Sequence, residues 1–146
     1  MLNRKYTSVR VDHKLDMSTV STVEGPITLT SPTGAGLGYG AGAGGAVTQA
    51  TNRATGVTLN KLSGTITGNA ASLAGVTIAT FTVTNTTVAV TDVVIVAKVS
   101  GDADSMCWVS AVAAGSFDIS VRNNHASVAD TTAMVINFAV IKAAKT

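Results

Sequence analysis

The sequence predicts an all-β protein, a sandwich or a barrel, and three observations carry that prediction. Aromatic residues make up only 4% of a chain that is 46% hydrophobic, so Val, Ile, Leu, Ala and threonine methyl groups must fill the core. Those side chains suit a half-buried pleated surface better than a helical bundle. Apolar and polar residues alternate with a period of two wherever a period can be read, and no helical period lasts beyond about two turns. Short candidate strands also succeed one another at the spacing of a sandwich or barrel. At 146 residues the chain has room for one domain with a real core and not for two.

Residues 1–31 differ in texture from the rest. They concentrate Arg4, Lys5, Arg10, Lys14, Asp12, Asp16 and Glu24 in a chain that is only 12% charged, and they read as an extended N-terminal arm. Val9 and Val11 alternate with Ser8, Arg10 and Asp12, a short half-exposed strand pattern that Ile27 and Leu29 repeat after Pro26. Tyr6, Val9 and Val11 give the arm one apolar side, and its basic residues suit acidic groups on a partner. Residues 32–45 form a glycine-rich connector, flexible or tightly turning, and residues 46–146 form the β body. Tyr39 stands inside the connector, where an aromatic side chain serves as a docking anchor more readily than as core.

Within the body the predicted strands cover residues 57–60, 64–67, 78–84, 92–99, 107–112, 116–122 and 134–142. Ala79, Phe81 and Val83 share one face of their strand against Thr80, Thr82 and Thr84. Phe117, Ile119 and Val121 likewise oppose Ser116, Asp118, Ser120 and Arg122. The segments 92–99 and 134–142 are apolar on both faces, which predicts central strands or strands beneath a partner subunit. Residues 93–97, the longest purely apolar run, are expected to be a buried strand, far short of the roughly 20 residues of a membrane-crossing helix. Ala114-Gly115 reads as a hairpin turn, and residues 69–74 as one helical turn.

Candidate chemistry fails on context. Gly40, Gly42 and Gly45 satisfy G-x-G-x-x-G, but the adjoining segment AVTQATNRATGVTLN is a poor helix former and no acidic residue appears until Asp92, so no dinucleotide cofactor is expected. His13 and His125 lie outside any closely spaced His/Cys set, so no metal site is expected either. A triad from His125, Asp130 and a serine has no nucleophile elbow, and a polar loop accounts for those residues. Asp102 and Asp104 fall short of a calcium ligand set. Asn85-Thr86-Thr87 matches a glycosylation acceptor, yet the charge-interrupted N-terminus has no apolar stretch of the signal-peptide kind, and export by that route is not expected.

A net charge of +2 is too small for a general nucleic-acid binder. Cys107 is the only cysteine and forms no intrachain disulfide. It and Trp108 point to opposite faces of their strand. Trp108, the only tryptophan, either caps the core or anchors a contact.

The block GYGAGAGGAVTQATNRATGVTLNKLSGTITGNAASLAG, continued by ATFTVTNTTVAVTDVVIVAKVSG and by ISVRNNHASVADTTAMVINFAVIKA, resembles small β-rich structural proteins of tailed bacteriophages, the capsid decoration or cement proteins. The likeness covers about residues 34–144, is compositional rather than catalytic, and transfers no individual site residue. It implies a jelly-roll-like β-sandwich, a place on the outside of a virion after assembly in the host cytoplasm, and binding to the major capsid protein and to itself as a dimer or trimer. The residues themselves give no coherent acid, base or nucleophile set, no membrane-crossing run and too little basic charge, so no enzyme activity and no membrane or nucleic-acid partner is expected. A tail-fibre or receptor-binding β-module is the alternative, although the stalk and aromatic sugar platform expected of one are missing from this sequence. The partner-binding residues expected here are Arg4, Lys5, Tyr6, Val9, Arg10, Val11, Lys14, Tyr39 and Trp108.

Overall fold

The computed structural model describes residues 38–143. The arm, the first half of the connector and the contact residues Arg4, Lys5, Tyr6, Val9, Arg10, Val11 and Lys14 lie outside the described residues. Eight strands run in chain order among those described: β1 Ala46–Thr48, β2 Val57–Thr58, β3 Ser63–Thr67, β4 Ile78–Thr84, β5 Val93–Ser100, β6 Ser105–Ala113, β7 Ser116–Asn123 and β8 Val135–Ile141. They form two four-stranded sheets, β1-β3-β8-β5 and β2-β4-β7-β6, packed face to face as a β-sandwich. The all-β sandwich expected from the sequence is the fold observed.

Each chain connection except β6 to β7 crosses from one sheet to the other. This wound connectivity carries β8 back between β3 and β5, antiparallel to both, so of the two segments expected to be central or beneath a partner, 134–142 is central and 92–99 is not. The short strands β1 and β2 pair in parallel with β3 and β4, which makes both sheets mixed. The hairpin between β6 and β7 turns at Ala114-Gly115, as predicted, and Gly115 takes a φ of +81° that a residue with a Cβ resists.

Alternation places the core. Phe81 and Val83 of β4, Phe117, Ile119 and Val121 of β7, and Ile136, Phe138 and Val140 of β8 are buried between the sheets with Ile66 of β3. Phe117 and Phe138 meet across the sandwich, their ring centroids 5.3 Å apart and their planes tilted by 55°, a favourable aromatic arrangement. Gly64, the register partner of Phe138, leaves the space that ring occupies. A Cβ there would stand 2.7 Å from Leu59 Cδ2, 2.8 Å from the Gly45 carbonyl oxygen and 2.9 Å from Phe138 Cε1.

Three expectations are corrected. Residues 69–74 form no helical turn: Asn69 Oδ1 accepts from the Ala71 amide (2.8 Å), and Leu73 makes a reciprocal bridge with Asp130 instead. Strand β1 was not expected, because three residues are too few for an alternation to show. The run 93–97 is not a buried strand, for β5 lies at the edge of its sheet with Val93 and Ile95 each 51% exposed.

The crossing loops at one end are tied together by buried polar groups. The Arg53 Nε donates to the Ala71 carbonyl (2.5 Å), and an Nη donates to the carbonyls of Asp130 and Thr132 (both 3.0 Å) while pairing with the Asp130 carboxylate at 3.1 Å. That carboxylate also accepts from the Ser105 hydroxyl and the Thr132 amide, both at 2.7 Å. Gln49 donates to the carbonyls of Arg53 and Thr55 and accepts from the Asn69 amide, and Asn123 donates to those of Leu73 and Val128. Burial by itself pushes the Asp130 carboxyl up. The bonds from Ser105 and Thr132 and the charge of Arg53 outweigh it and hold the group below the usual carboxylate range.

Two substitutions probe this packing. Gly64→Ala crowds Leu59, Phe138 and a fixed carbonyl at once, and should lower unfolding free energy by about 1–3 kcal/mol in denaturant titration. Arg53→Ala leaves the Asp130 carboxylate buried without its counter-charge, and should cost about 3–5 kcal/mol. Because the Asp130 pKa is lower folded than unfolded, its stabilisation is complete above the ordinary aspartate value near ~4 and is lost as pH falls through the folded value. The wild-type midpoint should therefore drop on acidification below about pH 4, with a shallower drop in Asp130→Asn.

Candidate interaction surface

The outward face of sheet β1-β3-β8-β5 changes character across its width. On β3 and β8, Thr65 donates its hydroxyl proton to Asn137 Oδ1 (2.7 Å), so that part is polar and internally paired. Towards β5 the register rows become apolar: Val93 stands opposite Ile141, and Ile95 opposite Ala139. Val93, Ile95, Val99 and Ile141 are all exposed, at 49–57% of their full surface, and among the described residues no charge interrupts them on this face. Val90, just before β5, is exposed as well.

An ionic clasp holds the start of β5 to the end of β8. The Asp92 carboxylate accepts from the Ala89 amide (2.8 Å), pairs with the Lys142 ammonium and takes a longer bond from the Ala143 amide. The Ala89 and Lys142 bonds lower its pKa against the opposing effect of burial. At the other end of β5, Lys98, the register partner of buried Ile136 but itself exposed, donates to the carbonyls of Asp102 (2.9 Å) and Ser105 (2.6 Å). The uncharged run 93–97 is thus framed by one acid and one base.

The outward face of the other sheet is mostly a hydroxyl ladder. Thr80 and Ser120 bond at 2.7 Å, Ser120 donates to Ser110 at 3.0 Å, and Thr82 donates to Asp118 at 2.7 Å. Ile78, Arg122 and Met106 form one register row at its end, and Trp108 lies opposite Ser120, two residues further along the ladder. The Arg122 Nε there is shielded from solvent and has no hydrogen-bond partner among the described residues.

Of the expected contact residues, the structure places two. Trp108 is half-buried on the outward side of β6, while Cys107 packs inward against the core, so the tryptophan does not cap the core. Tyr39 is 42% exposed and donates its hydroxyl to the Val140 carbonyl of β8. Tyr39, outside any strand, is thus tied to β8 of one sheet, whereas Trp108 belongs to β6 of the other. Sequence reading missed the half-exposed apolar face of β5, although its signal, five consecutive apolar residues, was in view.

The groups weighed for chemistry are occupied elsewhere. Gly40, Gly42 and Gly45 lead into strand β1 and not into a helix, and the Gly45 carbonyl accepts from the Thr65 amide at 2.9 Å. Between this tract and β3 lies an open groove of about 310 Å³, floored by Gly45, Gly64 and Phe138 and free of charged lining residues. His125 Nδ1 accepts from the amides of Ser127 (3.1 Å) and Val128 (2.8 Å), which shapes its own loop. Asn85 is fully buried, donating to the Lys61 carbonyl (2.7 Å) and accepting from Thr87, so its amide is closed to a glycan in the folded chain.

Burial pushes the Cys107 thiol up, and the charge of Lys98 offsets this only in part. Iodoacetamide should accordingly label native protein at pH 7 at least about tenfold more slowly than protein in denaturant, as read by mass spectrometry.

Comparison of the chain with protein-family models, with characterised proteins and with solved structures found no match.

Proposed function

We propose that this chain is a structural virion protein that decorates and stabilises a bacteriophage capsid by binding the outside of its major capsid protein shell. The observation that carries the reading is the uncharged apolar face over β5 and β8, joined to a sandwich whose buried polar groups hold loops rather than converge on a reactive centre. The likeness of residues 34–144 to phage cement proteins supports the same conclusion. In this reading the protein works by linkage. A ligand that binds only the mature shell stabilises it by RT ln(1 + [L]/Kd) at each site, and many equivalent sites let modest contacts resist internal pressure. Arg4, Lys5, Arg10 and Lys14 supply the charge that meets acidic groups on the shell, with Tyr6, Val9 and Val11 as apolar contacts. Tyr39, bonded to β8 of one sheet, and Trp108, on β6 of the other, serve separate contacts.

Stoichiometry tests the reading. Quantitative gel or mass-spectrometric analysis of purified particles should give close to one copy of this chain per capsid subunit, whereas a handful per particle would move it to the tail as a fibre or receptor-binding module. Replacing Arg4, Lys5, Arg10 and Lys14 together by Glu in the full chain should weaken attachment to purified shells by about tenfold or more, since each exposed pair contributes roughly 0.2–1 kcal/mol. Raising salt should weaken the wild-type attachment in the same direction.

A further inference from the structure

Among the described residues the sandwich has four edge strands, β1, β5, β2 and β6, and natural sheets blunt such edges because their unpaired N–H and C=O groups invite another strand. Three of the four are blunted. β1 has three residues and β2 has two, and β6 breaks register between Val109 and Ala111. The far end of β5 is guarded in the same way, by the exposed charge of Lys98 and a register shift between Lys98 and Ser100. Residues 93–97 of β5 carry no such device: they read VVIVA, without charge, proline, glycine or bulge. Among the described residues β5 has β8 on one side and no strand on the other.

We infer that β5 pairs antiparallel with β5 of a second copy about a two-fold axis at Ile95, joining the two sheets into one of eight strands. The run demands a partner that is itself a strand and itself uncharged, and the same run in another copy meets both conditions. Charge then favours the antiparallel direction. Asp92 and Lys98 stand three residues to either side of Ile95, and the Asp92 carboxylate is buried and already neutralised by Lys142, so a two-fold axis at Ile95 sets each exposed Lys98 opposite the neutral clasp of the other copy. A parallel pairing would set the two Lys98 ammonium groups against each other. The same axis places Val93 against Ala97 of the second copy, large against small, and Ile95 against its own counterpart. Val93, Ile95 and Ile141 of both copies then make one continuous apolar band, and the contact is isologous, as closed dimers require. The inference goes beyond the reading above, and the capsid plays no part in it.

The test uses the free full-length chain, so it fails or succeeds independently of shell binding. Sedimentation velocity should show a concentration-dependent dimer. Ile95→Lys, at a half-exposed position that leaves the fold intact by circular dichroism, should raise the dissociation constant at least about tenfold by setting two like charges at the axis. Thr80→Lys, on the outward face of the other sheet, should leave it unchanged. Ile95→Cys in a Cys107→Ser background should form a disulfide-linked dimer under mild oxidation. A wild-type chain that stays monomeric at high concentration overturns the inference, as does an Ile95→Lys variant that associates like wild type. Equal loss of association in Thr80→Lys also overturns it. So does dissociation by Ile95→Lys without cross-linking of Ile95→Cys, because another segment or a stacked face would then cover the edge.

Discussion

The guanidinium of Arg53 is the group on which the rest of the architecture leans. A sandwich wound so that almost every connection crosses between sheets must route several loops over the same end, and those loops bury carbonyls that no strand can satisfy. Arg53 donates to three of them, from Ala71, Asp130 and Thr132, and the Asp130 carboxylate balances its charge. Planar, multidentate donation of this kind suits arginine and not lysine. Ser105 and Thr132 replace the hydration that the carboxylate loses on burial, which is why the acid remains ionised in a place where burial alone would raise its pKa. The pair adds less net stability than its geometry suggests, since two charges leave water to make it, but its rupture leaves one of them stranded.

The two ends of the molecule are closed by different means. Arg53 and its neighbours close one with buried bonds, whereas the start of β5 and the end of β8 are clasped by Asp92 and the solvent-facing Lys142. Between them the core is aliphatic except for Phe81 and the pair Phe117 and Phe138, and that pair has room to meet because Gly64 has no side chain. With so few aromatics, the loss of either ring of the pair removes a large share of the contact between sheets.

Several polar side chains are spent on holding loops. Asp130, Ser105, His125 and Asn85 are each committed to shaping a loop or bridging two. Among the described residues β5, a strand that the winding leaves at an edge, carries an exposed apolar surface instead.

Local pattern was enough to specify most of the strands. The alternation in Ile78–Thr84 and Ser116–Asn123 names their inward faces because a pleat sends successive side chains to opposite sides, and Ala114-Gly115 names the turn between strands for the conformational freedom of glycine. Strand β1 escaped because three residues show no period, and residues 69–74 were misread because helical propensity is weak beside the bonds Leu73 and Asn69 make to distant loops. Composition likewise could not separate a central strand from an edge strand: β5 and β8 are both strongly apolar, yet among the described residues β8 lies between two neighbours and β5 has one. Which partner a strand finds depends on hydrogen bonds between residues far apart in the chain. An all-β body, its faces and its hairpin are thus legible from neighbouring residues, whereas the outward direction of Trp108, the pairing of Asp130 with Arg53 and the edge position of β5 among the described strands are set by pairing between residues far apart in the chain.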